Sequence, residues 1–118
     1  MNPKSPYLLR DRCDVYLKIS ANAKALTDCE QSIATNPHSP LSYNLRGQAH
    51  CFQDNFSASE QDFTRVIELN EEIYNTEENH AFYFLRAGTK GQQENTEGAI
   101  ADLDSAISLK DDEPDYYK

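Results

Sequence analysis

The chain has 118 residues, with 20 acidic and 11 basic side chains and a formal net charge of −9. That length gives one domain, which buries roughly 65% of its extended surface on folding. An acidic surface of this size repels phosphate backbones and disfavours nucleic acid as a partner, and a basic or mixed-charge protein surface suits it better.

From the N-terminus, Ser5-Pro6 is a helix start: serine caps, and proline at the first helical position lacks only an amide hydrogen that had no partner there. The pair recurs 34 residues later as Ser39-Pro40. No apolar signal region opens MNPKSPYLLRDR and no run of 18 apolar residues follows, so the expectation is a soluble, intracellular protein, cytoplasmic with the nucleus left open. The second half of each segment repeats too. ALTDCEQSIATNP, SEQDFTRVIELNE and AIADLDSAISLKD superpose without gaps from Ala25, Ser59 and Ala99. Their shared Asp28/Asp62/Asp102 and Ile33/Ile67/Ile107 and their apolar Cys29/Phe63/Leu103 lie at helical spacing.

The first halves match in the same way. SYNLRGQA is echoed by FYFLRAGT, and Arg12, Arg46 and Arg86 are aligned. Cys13, Gly47 and Ala87 are small at one place. Glycine inside a helix costs about 1 kcal/mol relative to alanine. A close crossing of two helices explains its use, since the site then needs smallness rather than glycine itself.

Loops are expected at residues 20–22, 54–55 and 94–95 within helix pairs and at 36–39 between the first two pairs. The third unit starts six residues late, with the insertion in EEIYNTEENH, at about residues 71–79. Ile73 and Tyr74 are too apolar for a plain loop, so the fourth helix is expected to reach about Tyr74, with Thr76 capping the next. The fold class is therefore all-α: one domain over residues 1–118, of about six helices in three stacked helix–turn–helix units, at about 6–39, 40–73 and 80–113.

This 34-residue unit resembles the tetratricopeptide repeat through Tyr16, Ala25 and Pro37, then Tyr43, Gly47 and Phe63, then Tyr83, Ala99 and Ala106. His50 and Lys90 depart from the aromatic that Tyr16 supplies, and Glu71 and Asp111 replace the terminal proline. The resemblance implies a right-handed superhelix with the first helix of each unit lining a concave groove. It carries the groove positions over to Tyr7, Arg10, Asp14 and Leu17, to Leu41, Asn44, Gln48 and Cys51, and to Ala81, Phe84, Gly88 and Gly91. The implied function is a non-catalytic adaptor or scaffold that binds a peptide or helix there. The alternative is a structural piece or assembly module of a longer array, making contacts, self-association included, through its terminal edge. The family's carboxylate clamp for chaperone tails would fall on Arg10, Asp14, Leu45, Ala81 and Leu85, of which only Arg10 is a cation, so the clamp is disfavoured.

The aligned arginines and aspartates are read as structural. Asp28–Arg46 and Asp62–Arg86 are expected to bridge neighbouring units, with pairing inside a unit as the competing geometry. Cys13, Cys29 and Cys51 are odd in number and form no CxxC, which argues against a disulfide framework or zinc site; they are read as small buried residues of a reducing compartment. His38, His50 and His80 lie far apart, and no metal or cofactor is expected. Neither GxSxG nor HExxH occurs, so no enzyme is expected. The sequon Asn55-Phe56-Ser57 is discounted because Phe56 should be buried at a helix start. Tyr116 and Tyr117 in the tail DDEPDYYK are candidates to cover the last helix.

Overall fold

The computed structural model describes residues 5–110. Six helices follow one another: α1 Pro6–Lys18, α2 Asn22–Thr35, α3 Pro40–Phe52, α4 Phe56–Glu72, α5 Asn79–Gln92 and α6 Thr96–Lys110. No strand occurs among the described residues. Each odd-numbered helix packs against the next even one, and the pairs stack through α2 on α3 and α4 on α5. The result is a superhelical stack of three hairpins measuring 53 × 31 × 24 Å.

The helix ends follow one chemical plan. Ser20, Asp54, Tyr74 and Glu94 all have positive φ, near 60°. After each, a backbone amide reaches back five residues: Ala21 N–H to Tyr16, Asn55 to His50, Asn75 to Asn70 and Asn95 to Lys90, at 2.8–2.9 Å. These bonds satisfy the last carbonyls of the helix with a left-handed residue at the turn. Both Pro6 and Pro40 open a helix, but only Ser5 caps through its hydroxyl; Ser39 makes no such bond.

The insertion differs from its sequence reading. α4 ends at Glu72 and α5 starts at Asn79, with Glu78 rather than Thr76 before it. Thr76 contributes only its backbone carbonyl, to the Asn79 amide. Ile73 and Tyr74 are exposed, so their apolar character does not extend the helix: the left-handed residue at Tyr74 ends it. α4 gains three residues over α2, about 4.5 Å of length.

Two apolar clusters sit between units. One holds Cys13, Leu17, Ala25, Cys29, Leu45 and Ala49, and the other Ile33, Tyr43, Val66 and Leu69, with Phe82 packed on it. Buried hydrogen bonds accompany them. Ser32 and Ser42 share a 3.0 Å bond, and Asn70 donates to Asn79 at 2.9 Å. Ile33 and Ile67 are 9% and 4% exposed, whereas Ile107 is 58% exposed, because no described element lies on the outer face of α6. Tyr116 and Tyr117 lie outside the described residues.

Candidate functional site

The arginine–aspartate series folds into three copies of one device, each inside a unit. Arg12 Nε donates to Asp28 at 2.6 Å, Arg46 Nη2 to Asp62 at 2.8 Å and Arg86 Nε to Asp102 at 2.8 Å, each with a second guanidinium bond. The expected bridges Asp28–Arg46 and Asp62–Arg86 are thus corrected to pairs within units. The reason is reach: sixteen residues take the chain up one helix and back to the same level, so the planar fork meets its own hairpin partner. All three aspartates are buried. Hydrogen bonds that the guanidinium groups donate to those carboxylates push the arginine pKa values up. Each guanidinium also lies over a tyrosine ring, Arg12 on Tyr16, Arg46 on Tyr43 and Arg86 on Tyr83, at 5.3–5.7 Å.

His50 and Lys90, which break the aromatic pattern, bring a second nitrogen-bearing side chain to this device, and that of Lys90 is a cation. Lys90 Nζ lies 3.1 Å from Asp102, and His50 Nε2 lies 3.8 Å from Asp62. Burial pushes the Asp102 carboxyl up, but hydrogen bonds from Arg86 and Lys90 and their charges hold it below its ordinary value. Between units the polar links include Arg86 donating also to Thr64 at 3.1 Å and Gln93 to Glu60 at 2.8 Å, beside the Ser32–Ser42 and Asn70–Asn79 bonds.

Of the cysteines, Cys13 and Cys29 are joined in a disulfide with a Cα–Cα distance of 5.6 Å, which corrects the expectation of three unlinked residues. Cys13 is aligned with Gly47, and Cys29 with Phe63, which lies against Gly47. The repeat alignment therefore carried the signal, and counting cysteines did not. Cys51 is free and half-buried, its thiol pushed up by burial and then by Asp54.

Six of the groove candidates line two cavities that share no residue. Arg10, Leu41 and Asn44 share a cavity of about 350 Å³ with Phe82 and Ile73. Cys51, Phe84 and Gly88 share another, about 380 Å³, with Phe56 and Leu103. Tyr7, Leu41 and Phe84 are exposed, and a Cβ at Gly88 or Gly91 would meet nothing within 4 Å. Gln48 donates to Asn44 at 3.0 Å, Asp14 pairs with Lys18 at 3.3 Å, and Ala81 lines a further cavity beside Phe84. Arg10 stacks on Tyr7, and its Nε is buried with no partner among the described residues. Leu17 is corrected: it is buried in the first core cluster, because its place on α1 turns toward α2 and α3. Among the described residues no three His, Cys, Asp or Glu side chains come together in a way that could hold a metal ion, and no helix is long and apolar enough to cross a membrane.

No family model matches the sequence. Solved structures do match the fold. The Arabidopsis OM64 tetratricopeptide domain superposes with a TM-score of 0.80 at 19% identity, over 93% of this chain and 86% of that one. The first such domain of Spaghetti (RPAP3), bound to the HSP90 peptide SRMEEVD, gives 0.80 at 17% identity, over 97% and 86%. The first such domain of human RPAP3 gives 0.78 at 18%, over 96% and 84%. With its six helices in three hairpins, the chain has the fold of a tetratricopeptide-repeat domain.

Proposed function

We propose that the protein is a non-catalytic adaptor that holds a peptide or helix along α1, α3 and α5. What supports this reading is the mix of polar and apolar groups these helices carry: Arg10, Leu41 and Asn44 line one cavity, Tyr7 stacks with Arg10, Gln48 bonds Asn44, and exposed Phe84 lines a second cavity with Cys51. Such a surface supplies hydrogen bonds for orientation and apolar pockets for affinity. Bare Gly88 and Gly91 leave room for a backbone to approach. The strip does not suit a carboxylate clamp. Leu45 is buried in the core, Asp14 carries the wrong charge, and Ala81 and Leu85 offer no donor side chain. The reading includes a cytoplasmic setting.

A phage-displayed library of random 12-residue peptides, selected on the immobilised protein, tests this. The synthetic peptide that emerges should bind the wild-type protein at least about tenfold more tightly than Asn44→Ala/Phe84→Ala, the loss of about 1.4 kcal/mol. Equal affinity for both proteins would rule the strip out.

A second reading has its own observation. Leu103 and Ile107 are 39% and 58% exposed, whereas their counterparts Cys29/Ile33 and Phe63/Ile67, in units that have another stacked after them, are buried. The outer face of α6 is then an assembly edge. Sedimentation at several concentrations tests it: association should weaken in Leu103→Ser/Ile107→Ser, and a strictly monomeric wild type would remove self-association.

A further inference from the structure

One pair of positions sets the first hairpin's interior apart from the other two. Where the second unit sets Phe63 against Gly47 and the third has Leu103 and Ala87, the first has Cys29 and Cys13. In unit two a large side chain against a small one fills the hairpin interior, and in unit three the partly exposed Leu103 lines a cavity with Ala87. Two small residues take these places in unit one, and a covalent bond joins them. Both cysteines are 0% exposed. α1 packs on α2 and on α3, so this hairpin holds one end of the stack.

We propose that Cys13 and Cys29 form a reversible redox staple that sets whether the first hairpin is held closed. Bonded, they fix α1 against α2. As thiols, they leave α1 and α2 joined by the Arg12–Asp28 pair and the packing of Tyr16 and Leu26, with no large side chain in the place that Phe63 fills in unit two, an interior of the kind that loses stability. Closure uses a small-molecule disulfide, RSSR. One cysteine thiolate attacks it, forming a mixed disulfide and releasing one RSH; the other then displaces the second RSH. The balance is Cys13–SH + Cys29–SH + RSSR → Cys13–S–S–Cys29 + 2 RSH, with the cysteines oxidised and RSSR reduced. Since both sulfurs are buried, exchange proceeds through the opened hairpin, and each closure traps it shut. Cys51 is not a competing partner: it lies in the cavity with Phe84, on the opposite side of α3 from the Leu45–Ala49 contact with Cys29. The functional consequence rests on the groove reading, because Tyr7, Arg10 and Asp14 are carried by α1.

The test is amide hydrogen exchange of the full chain, oxidised with glutathione disulfide and reduced with dithiothreitol, with alkylation and mass spectrometry to count thiols. Residues 6–35 should exchange at least about tenfold faster after reduction, and residues 56–110 less than about twofold faster. The variant Cys13→Ala/Cys29→Leu, which copies the third unit's pair, should keep the slow pattern and ignore dithiothreitol. Cys13→Ser should exchange fast in both conditions. Equal protection of the oxidised and reduced wild type would overturn the proposal, as would a Cys13→Ala/Cys29→Leu variant that still responds to dithiothreitol, or thiols that glutathione disulfide fails to join. Failure of the groove reading shows separately, in the peptide selection, and leaves these exchange rates unaffected.

Discussion

Gly47 lies so close to Phe63 that a Cβ on residue 47 would stand 2.9 Å from the ring's Cε1 and 3.2 Å from Cδ1. Ser59 reinforces this approach by donating to the Gly47 carbonyl at 2.8 Å. The glycine inside α3 thus exchanges helix propensity for interhelical contact.

Gly47→Ala should therefore destabilise the protein. Helix propensity returns about 1 kcal/mol, while overpacking against a buried ring costs about 1–3 kcal/mol. A net loss of about 1 kcal/mol is expected in chemical denaturation. Gly47→Ala/Phe63→Leu, which reproduces the third unit's Ala87 and Leu103, should recover most of it. No recovery in the double variant would show that the ring contact is not the cause.

Asp62→Asn should lower stability by about 2 kcal/mol, less than the roughly 3–5 kcal/mol for a fully buried pair, because Arg46 remains 25% exposed. A drop of about 8 °C in Tm is the expected reading. Asn44→Ala, half-buried on α3 near Arg46, serves as the control and should move Tm by less than about 2 °C. An unchanged Tm for Asp62→Asn would remove the hairpin pairs as a source of stability.

Acid should act on the third unit through Asp102. Its folded pKa lies below the ordinary 3.8, so it binds its proton less readily folded than unfolded. Its contribution is then fully present above that ordinary value and is lost as pH falls through the lower folded one. Lys90→Met removes one of the two cations and should shift the Asp102 titration upward, measurable by NMR of its side-chain carboxyl. A titration that stays in place would mean that Arg86 alone sets it.

The left-handed turn residues offer gains. Glu94 stands at φ 62° with no glycine to ease it. Glu94→Gly should stabilise by about 0.5–1 kcal/mol, since an L side chain costs roughly 1–2 kcal/mol there and glycine loses part of that in chain entropy. Glu94→Val should destabilise, because a branched Cβ crowds the same conformation. Thermal melts of the two variants moving in the same direction would contradict this.

Much was legible in the residues alone. Repetition of Arg46-Gly47 as Arg86-Ala87, of Ser5-Pro6 as Ser39-Pro40 and of the Asp–Ile spacing determined an all-α chain of paired helices, because a recurring apolar stripe has to be buried against a recurring neighbour. Tertiary structure decided which chemically equivalent partners meet. Arg46 faces Asp62 rather than Asp28, Cys13 reaches Cys29, and Leu17 turns inward instead of lining the strip. Periodicity assigns a residue to a helix face. It does not say whether that face meets its own hairpin or the next, a choice set by crossing distances that only side-chain size at places such as Gly47 determines. Ile107, alike in sequence to Ile33 and Ile67 yet exposed, shows the same limit: burial belongs to the neighbour as much as to the residue.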